Sequence, residues 1–600
     1  MIIYSDLAER VKTADFMGNL IDLFERFVLS GFTRYDLAVE LLIDYSDLET
    51  ALTDSICREE ELYNREIKIL RRTGELVARL MMYSWKDLES GIPDYLHKQI
   101  RRLFNKICSF SLPVYANIKV PEGYAFYGYY PETYIDAAEK FISDVKPESA
   151  VIIGLRSIGT SFSSVVSAVL NYHNIPSKSF TVRPRGDYLS RAVYLSRKLK
   201  REITQGGTPY FLLVDEGPGL SGSSFGVTAE CLSHFGVPDD RIIFISSWNP
   251  APEGLITELG RERWKVHRKY YSDFDSTWIS SGKLFRFLPF KFIADISRGK
   301  WRSLFYSDQS MSPAVYPAEE RRKFLCSDNN SGVSRVLTSA FRERKGKRGR
   351  GEIYQLKFTG LGRYGRKYNS RAFLLSGSGL IPPALNFTSG FLISRFEPGT
   401  PLSTAAITYN TLSRAAEYLT FINNRFPVMP SRNFDEMFLM ILENVSESLG
   451  PRWGAIIQKY GAQFEKCYSH TAVQIDGHMF PYEWISSGDS IFKTDGLTHH
   501  ADQFFPGCQD ICWDLAGYII ESELGVEKES FLLQRFSQLS GDKSIPGKIG
   551  FYKLAYLAFR LGHSSVASDI LSVSADGSKV RKQTWRYAAM LKRVLLEQVF

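Results

Sequence analysis

The sequence predicts a multidomain α/β protein with a helical N-terminal segment, a domain built on a parallel sheet, and an α+β C-terminal domain. Its 600 residues exceed the usual size of one domain. Strand-like and helix-like segments alternate between about 111 and 290, which is typical of a parallel sheet. Hydrophobic residues make up 44% and aromatic residues 14% of the chain, so full-sized cores are expected rather than wholesale disorder.

The N-terminal segment is predicted to be helical because apolar side chains recur at helical spacing, as at Leu20, Leu23, Phe24 and Phe27. It carries no catalytic pattern. A helical cap, or a module for oligomerisation or binding a protein partner, is the default interpretation. Changes of pattern divide the chain into four predicted regions: 1–110 (helical), 111–290 (parallel sheet), 291–350 (a polar connector) and 351–600 (the C-terminal domain).

Composition predicts a cytoplasmic protein with no membrane segment. The seven cysteines are odd in number and scattered, which favours a reducing compartment over a disulfide framework. The start, Met1–Asp6, lacks a basic region followed by an apolar one. The longest uncharged stretches, Ser157–Ser177 and Ser376–Ser394, are interrupted by Ser, Gly or Pro.

A basic run and a cluster of Cys and His residues each allow a binding function, but an ordinary structural role is preferred for both. The net charge is +8, and the run Arg342–Arg350 is the sharpest basic cluster. Nucleic-acid binding is one interpretation of this run, but no recognised motif accompanies it, so a solvated connector is preferred. Cys508 and Cys512 lie near His499 and His500, yet the paired Cys-x-x-Cys spacing of zinc sites is absent.

Four apolar strands separated by helices define the parallel-sheet region. Because each helix crosses between strands, the strands are expected to be parallel and covered on both faces. The predicted strands are Ser149–Leu155, Ser179–Val182, Tyr210–Asp215 and Arg241–Ser246, and the predicted helices include Ser161–Leu170 and Ser223–Phe235.

The first candidate site follows the third of these strands. Asp215 and Glu216 end the strand, and a Gly/Ser loop then opens a helix. Open α/β sheets bind ligands at this edge. Small-residue loops and helix N–H groups can hold a phosphate, while adjacent carboxylates can accept hydrogen bonds from vicinal sugar hydroxyls. The segment therefore fits a ribose 5-phosphate, with an ordinary strand–turn–helix junction as the alternative.

Phe211–Ser224 resembles the phosphoribosyl diphosphate (PRPP) signature of type I phosphoribosyltransferases, and the resemblance covers about 150 residues. It implies that Asp215 and Glu216 hold the ribose hydroxyls, that diphosphate and sugar oxygens hold Mg²⁺, and that residues 186–205 cover the site. The implied phosphate-binding residues are Gly217, Gly219, Ser221, Gly222, Ser223 and Ser224 at the 5-phosphate, and Arg156, Ser157, Gly159 and Arg183 at the diphosphate. Four residues, Gly217–Leu220, separate the acids from Ser221, where the family has three.

A second constellation lies in the C-terminal domain. Asp476 stands on an irregular loop, Asp495 follows a short strand, and Asp514 opens a helix. This order resembles aminoglycoside and choline kinases, which share the protein-kinase-like fold. The resemblance implies that Asp476 orients an acceptor hydroxyl, Asp495 and Glu483 bind Mg²⁺ on ATP, and Lys357 pairs with the nucleotide phosphates. Asp514 would brace the loop that carries Asp476.

The segment Ser389–Gly399 resembles the strand and linker that carry adenine in these kinases. Three positions depart from the family pattern. Gln474 stands where the family has His, Pro481 stands where it has Asn, and Arg371 lies near the place of the glutamate that partners the strand lysine. A kinase-like scaffold without turnover is therefore the alternative.

Together the motifs predict a cytoplasmic two-site enzyme. A phosphoribosyltransferase-like, and hence glycosyltransferase, domain would use PRPP, and a kinase-like domain would use ATP with Mg²⁺ on a nucleotide, a related metabolite or a macromolecule. The alternatives are a non-catalytic nucleotide-sensing regulatory or interaction protein, and a nucleotide-consuming bacterial toxin or defence effector. The acceptor is not specified. The aromatic set that could stack on a base, with core packing preferred, comprises Tyr124, Phe126, Tyr127, Tyr129 and Tyr130.

Overall fold

The computed structural model of the chain describes most of the sequence. The basic run Arg342–Arg350 lies outside the described part. Every helix of the described part is either too short or too polar to cross a bilayer. The described ranges are 1–5, 7–30, 34–86, 92–187, 189–219, 221–284, 290–295, 322–328, 353–397, 399–570 and 577–599.

The N-terminal segment is helical, as predicted. A short antiparallel ribbon of Ala8–Lys12 and Tyr115–Lys119 joins its two ends. The helices are Thr13–Leu29, Arg34–Ile56, Arg65–Lys86 and Asp94–Cys108. The second of these, Arg34–Ile56, is called the bridging helix below, because its side chains contact residues in or beside both of the larger sheets.

The parallel sheet is confirmed, with five strands all running in one direction. In spatial order they are Ser177–Val182, Ala150–Leu155, Tyr210–Val214, Ile242–Ser246 and Arg268–Tyr271. The last was not predicted, because an edge strand with exposed ends lacks the apolar run of a buried strand. The associated helices are Pro131–Val145, Gly159–Tyr172, Arg197–Thr204, Ser223–His234 and Glu258–Val266.

The second large sheet is antiparallel and contains two strands from the region predicted to be a polar connector. Its order is Ala384–Thr388, Phe391–Arg395, Ile353–Phe358, Lys323–Asp328 and Phe290–Asp295. The connector prediction is therefore wrong for the last two segments. Their pairing is stabilised because Phe290, Phe324 and Cys326 are buried in the main core. Helices Gly362–Arg366 and Asn369–Gly377 follow the central strand.

The remainder is mostly helical and is interrupted by an irregular stretch between about 470 and 514. Two small ribbons organise that stretch, one of Thr400–Pro401, Trp484–Ser487 and Ser490–Lys493, and one of Pro427–Val428 and Ala472–Val473. The helices are Tyr409–Arg425, Phe434–Leu449, Pro451–Lys459, Gly461–Glu465, Cys512–Glu521, Val526–Ser540, Ile545–Ile570 and Gly577–Val599.

One hydrophobic core joins the N-terminal helices, the parallel sheet and the antiparallel sheet. Phe274 stacks on Phe324, with ring centroids 6.0 Å apart and planes 10° apart, and contacts Phe391 at 6.1 Å. The Tyr130 hydroxyl donates to the Ser389 carbonyl at 2.7 Å. Core packing is confirmed for three members of the aromatic set, which are buried: Tyr124, Phe126 and Tyr130.

Carboxylates of the bridging helix reach basic and polar groups on both sides. Asp54 contacts Arg156 and Arg183 beside the parallel sheet. The contacts toward the antiparallel half are Asp36 with Thr388 and Ser389, Glu40 with Arg366, and Asp44 and Asp47 with Arg363. The N-terminal segment is therefore an internal connector between the two sheets.

We expect Phe274→Ala to lower the free energy of unfolding by about 3–5 kcal/mol, because it removes a buried ring from the shared core. Phe274 is 3% exposed, whereas Phe373 is 43% exposed and serves as a matched control. Urea unfolding followed by circular dichroism measures both variants. A loss for Phe274→Ala no larger than that for Phe373→Ala would contradict the shared core.

Candidate functional sites

The acid pair at the carboxyl edge of the parallel sheet is held by backbone contacts. The Asp215 carboxylate accepts hydrogen bonds from the Glu216 N–H at 2.9 Å and from the Gly159 N–H, and the Tyr134 hydroxyl donates to the Asp215 carbonyl at 2.6 Å. The Ser157 carbonyl caps the same turn by accepting from Thr160 at 3.1 Å. The turn that contains Ser157 and Gly159 therefore meets the acid pair at this edge of the sheet.

The Gly/Ser loop beside the acids gathers hydroxyls and one guanidinium. Ser221 Oγ lies 2.9 Å from Ser223 Oγ, and Arg191 donates to Ser224 Oγ. Gly217 lies against the Trp248 indole, where a Cβ atom would be 2.3 Å from Nε1, so a larger residue would require this exposed ring to move. Of the other predicted loop residues, Gly219 is exposed and Gly222 immediately precedes helix Ser223–His234.

The arginines predicted to bind diphosphate face internal carboxylates instead. Arg156 is 0% exposed, and its Nη1 lies 2.6 Å from Glu61 Oε2 while its Nε lies 2.7 Å from Asp54 Oδ1. Arg183 Nη2 lies 2.5 Å from Asp54 Oδ2, and Arg185 contacts Glu61 at 3.2 Å. N-terminal acids thus neutralise both side chains in this arrangement, and the diphosphate roles of Arg156 and Arg183 stay a prediction.

Burial changes the protonation of the acid pair. Desolvation raises the pKa of Asp215 to about 7. The pKa of Glu216 is raised well above its usual value by burial first, and then by the charges of Asp215 and Glu122. Near neutral pH this edge can therefore present carboxyl groups that donate as well as accept hydrogen bonds.

The kinase-like motifs also assemble, at the junction of the antiparallel sheet and the helical half that is called the cleft below. Lys357 and Lys323 are directly opposite each other on neighbouring strands, and both contact Asp495. The Lys323 Nζ–Asp495 Oδ2 distance is 3.1 Å. Burial would raise the pKa of Asp495, but the charges of Lys357 and Lys323 outweigh it and hold this pKa well below its usual value. Lys357 and Asp495 thus meet, as the motifs predict.

The loop carrying Asp476 is fixed by Asp514. Asp514 accepts hydrogen bonds from the backbone N–H groups of Asp476 at 2.6 Å and Gly477 at 2.8 Å, which is the bracing arrangement that the kinase resemblance implies. Tyr418 donates to Asp476 Oδ2 at 2.8 Å. Gly496 closes over this carboxylate, since a Cβ atom there would lie 2.5 Å from Asp476 Oδ2. The predicted acceptor-orienting acid is therefore enclosed.

Lys493 was not singled out from the sequence, yet it lies among all three predicted acids. Its Nζ is 3.0 Å from Asp476 Oδ2 and 2.7 Å from Glu483 Oε2, and it also donates to the Asp495 carbonyl. Burial would lower the pKa of Lys493, but the Asp476 and Glu483 charges raise it above its usual value.

The three acids do not fit a divalent cation as they stand. Lysine ammonium groups contact Asp476, Glu483 and Asp495, and within the described ranges no three His, Cys, Asp or Glu side chains are arranged to hold a metal ion. In this arrangement the two acids predicted to bind Mg²⁺, Glu483 and Asp495, are paired with lysine ammonium groups, and their metal roles stay a prediction. Oppositely charged groups at contact distance attract each other strongly. Each ammonium group therefore occupies the space that a metal ion would need beside its carboxylate.

The Arg371 side chain joins two backbone segments of the cleft. Its guanidinium is buried and donates to the carbonyls of Gln474 at 2.7 Å and Gly496 at 3.0 Å. These two residues flank the loops that carry Asp476 and Asp495. The sequence showed Arg371 near the expected glutamate position, but only the fold brings both carbonyls to it.

The histidine and cysteine side chains near Asp476 contact one another and the surrounding backbone. The His499 ring stacks on His478 with centroids 3.8 Å apart, and His499 Nδ1 lies 3.0 Å from the Asp476 carbonyl. Burial, followed by the charge of His478, lowers the pKa of His499. Cys508 contacts the His500 carbonyl and Cys512 is buried. These residues build the loops next to Asp476.

Comparison with known proteins gives structural resemblances only. No family model matches the chain, and no curated protein matches it. The choline kinase LicA from Streptococcus pneumoniae is 15% identical, with 52% of this chain and 98% of LicA covered and a TM-score of 0.35. A choline/ethanolamine kinase family protein from Mesorhizobium loti is 16% identical, with 42% and 90% covered and a TM-score of 0.31.

A third similar structure is the macrolide 2'-phosphotransferase MphH from Brachybacterium faecium, 11% identical, with 44% of this chain and 88% of MphH covered and a TM-score of 0.29. All three are kinases or phosphotransferases, the class that the C-terminal motifs resemble, and none is a phosphoribosyltransferase. At this level of similarity none of them bears on the activity of this chain.

We expect Asp215→Asn to remove part of the pH dependence of stability. Because the folded pKa of Asp215 is raised from 3.8 to about 7, its protonated form stabilises the fold at low pH, and this contribution is lost as pH rises from about 4 to about 7. Wild type should therefore lose on the order of 2–4 kcal/mol relative to the variant over that range.

Urea unfolding across this pH range measures the difference, with Asp240→Asn on the exposed surface as a control. The variant should be less sensitive to rising pH than wild type, while the control should follow wild type. The same pH profile in wild type and Asp215→Asn would contradict the assignment of a raised pKa to this carboxyl group.

Proposed function

We propose that the chain is a nucleotide-binding, kinase-like protein that holds nucleotide phosphates between Lys323 and Lys357. The cross-strand position of these two lysines carries the proposal. Like charges directly opposite each other on a sheet are unfavourable unless an anion lies between them. Asp495 contacts both ammonium groups, so an anion is accommodated at this position. A nucleotide polyphosphate would be a further anion at the same place.

The segment Ser389–Gly399 supports a nucleoside as the rest of the ligand. Strand Phe391–Arg395 pairs with the strand that carries Lys357, and the chain then enters strand Thr400–Pro401, which pairs with Trp484–Ser487 of the helical half. This segment therefore connects the two sides of the cleft, next to the lysines. A base lying along it would leave the phosphates directed toward Lys357.

The geometry favours binding over phosphoryl transfer. A general base or orienting acid must lie within hydrogen-bond reach of the acceptor. The Asp476 side chain is 0% exposed, and Tyr418 and Lys493 already donate to it. The nucleotide-sensing alternative therefore has a specific observation behind it, whereas phosphotransferase activity requires Asp476 to leave this enclosure.

We expect Lys357→Ala and Lys323→Ala each to weaken ATP binding at least about tenfold, because each removes a charge-assisted contact worth about 1.5–3 kcal/mol. Calorimetric titration of the full chain with ATP and with inorganic triphosphate measures this effect. Lys466→Ala, a change at an exposed lysine of the helical half, is the matched control and should retain wild-type affinity.

Unchanged ATP affinity in both cleft variants would exclude this binding mode. The same preparations answer the question of turnover when they are incubated with γ-labelled ATP and a panel of small hydroxyl compounds. Label transfer that Asp476→Asn abolishes would establish a phosphotransferase and replace the binding-only form of the proposal.

A second candidate function is binding of a sugar 5-phosphate, PRPP included, at the carboxyl edge of the parallel sheet. The contact of Arg191 with Ser224 favours it, because a guanidinium and serine hydroxyls converge at the start of helix Ser223–His234. Asp215 and Glu216 would bind the sugar hydroxyls. The contacts of Asp54 with Arg156 and Arg183 favour a monophosphate over a diphosphate ligand.

For this second function we expect Ser223→Ala with Ser224→Ala to weaken ribose 5-phosphate binding at least about tenfold while leaving weak ribose binding unchanged. Asp54→Ala should instead improve binding of inorganic pyrophosphate, because it releases Arg183. Equal effects on ribose and ribose 5-phosphate would show that the serines only cap the helix.

A further inference from the structure

The ammonium group of Lys493 occupies a complete binding position for a cation. A lysine has three N–H donors and no acceptor. Three oxygen atoms surround this one: Asp476 Oδ2 at 3.0 Å, Glu483 Oε2 at 2.7 Å and the Asp495 carbonyl. The donors and acceptors are therefore matched in number, and both Lys493 and Asp476 are 0% exposed.

The surroundings of Lys493 hold it in place. Strand Ser490–Lys493 pairs with Trp484–Ser487, and the Lys493 N–H donates to the Leu380 carbonyl at 3.0 Å. Glu483 is additionally 3.7 Å from His478, and the neighbouring Thr494 donates to the Glu483 carbonyl at 2.9 Å. The lysine and its carboxylates thus form one buried unit rather than a surface ion pair.

Removal of this ammonium would leave two adjacent carboxylates, Asp476 and Glu483, without their shared cation. Buried carboxylates without a partner carry a large electrostatic cost, which protons or a metal ion can relieve. Carboxylate and carbonyl oxygens are also the ligands that Mg²⁺ and Mn²⁺ prefer. The oxygen set around Lys493 is thus suited to a divalent ion only when the lysine is absent.

We propose that Lys493 is a built-in counter-cation that takes the place of a divalent metal ion in the cleft, so that nucleotide phosphate binds there without a metal. The nucleotide part of this inference rests on the proposed function, whereas the metal part concerns the protein alone. A covalently attached charge cannot dissociate or be removed by a chelator. The phosphates would then contact Lys357 and Lys323 directly.

Electron paramagnetic resonance of Mn²⁺ tests the metal part on the full chain without nucleotide. Wild type should show only free Mn²⁺, Lys493→Ala should gain one bound ion, and Lys493→Ala with Glu483→Gln should lose it again. Circular dichroism verifies folding of each variant. A bound ion in wild type that Glu483→Gln removes would overturn the proposal, as would a folded Lys493→Ala variant that binds none.

Calorimetric titration of wild type with ATP in EDTA and in excess Mg²⁺ tests the nucleotide part and does not depend on the folding of any variant. The two affinities should agree within about threefold. Binding that is at least about tenfold tighter with Mg²⁺ would overturn metal-free binding. No ATP binding in either buffer would refute the proposed function, while the Mn²⁺ result would still decide the role of Lys493.

Discussion

A buried charge requires a partner, and this requirement organises the molecule around the bridging helix. Asp44 and Asp47 lie on this helix with side chains that are 14% and 8% exposed. Without the guanidinium group of Arg363 these two carboxylates would carry a desolvation cost of several kcal/mol each. Asp54, which is 33% exposed, pairs with Arg183 near the other end of the helix. The arrangement that supplies arginines on both sides of the helix is therefore favoured, and it places the two sheets on either side of it.

The same requirement divides the cleft of the C-terminal half into two levels. The outer level holds Lys323 and Lys357 around Asp495. The inner level holds Asp476 and Glu483 around Lys493. The ammonium groups of the outer level belong to strands of the antiparallel sheet. An anionic ligand is therefore attracted to the sheet side of the cleft.

The sequence predicted those parts of the fold that depend on local pattern. Strands such as Ile242–Ser246 are continuous apolar runs, and the Gly/Ser loop after Asp215 has its own chemistry, so both could be identified without a structure. Strand Lys323–Asp328 could not, because its register depends on pairing with Ile353–Phe358 across a long sequence separation. Arg371 was visible but its role was not, since that role is a property of two distant carbonyls.

The candidate sites, like the fold, could be predicted only in part from the sequence. Asp215, Asp476 and Asp495 could be identified as candidates from residue type and position, because carboxylates at the ends of strands and on irregular loops often bind ligands. Their partners were not predictable. Nothing in the spacing of Lys493 from Asp476 indicates a shared ion pair, and nothing near Arg156 in the chain points to Glu61. The tertiary fold determines which basic group pairs with each acid. That pairing in turn determines whether the acid can contact a ligand.

The stacking of Phe274 on Phe324 has a consequence for genetics. Because these rings join the parallel-sheet region and the antiparallel sheet in one core, a ligand bound at either candidate site stabilises the combined unit by mass action. Conversely, a change that weakens the core lowers the population of molecules competent to bind at either place. Loss-of-function alleles should therefore be scattered through the whole of this core. Their phenotypes will resemble those of alleles at the candidate sites, and a comparison of protein abundance will separate the two groups.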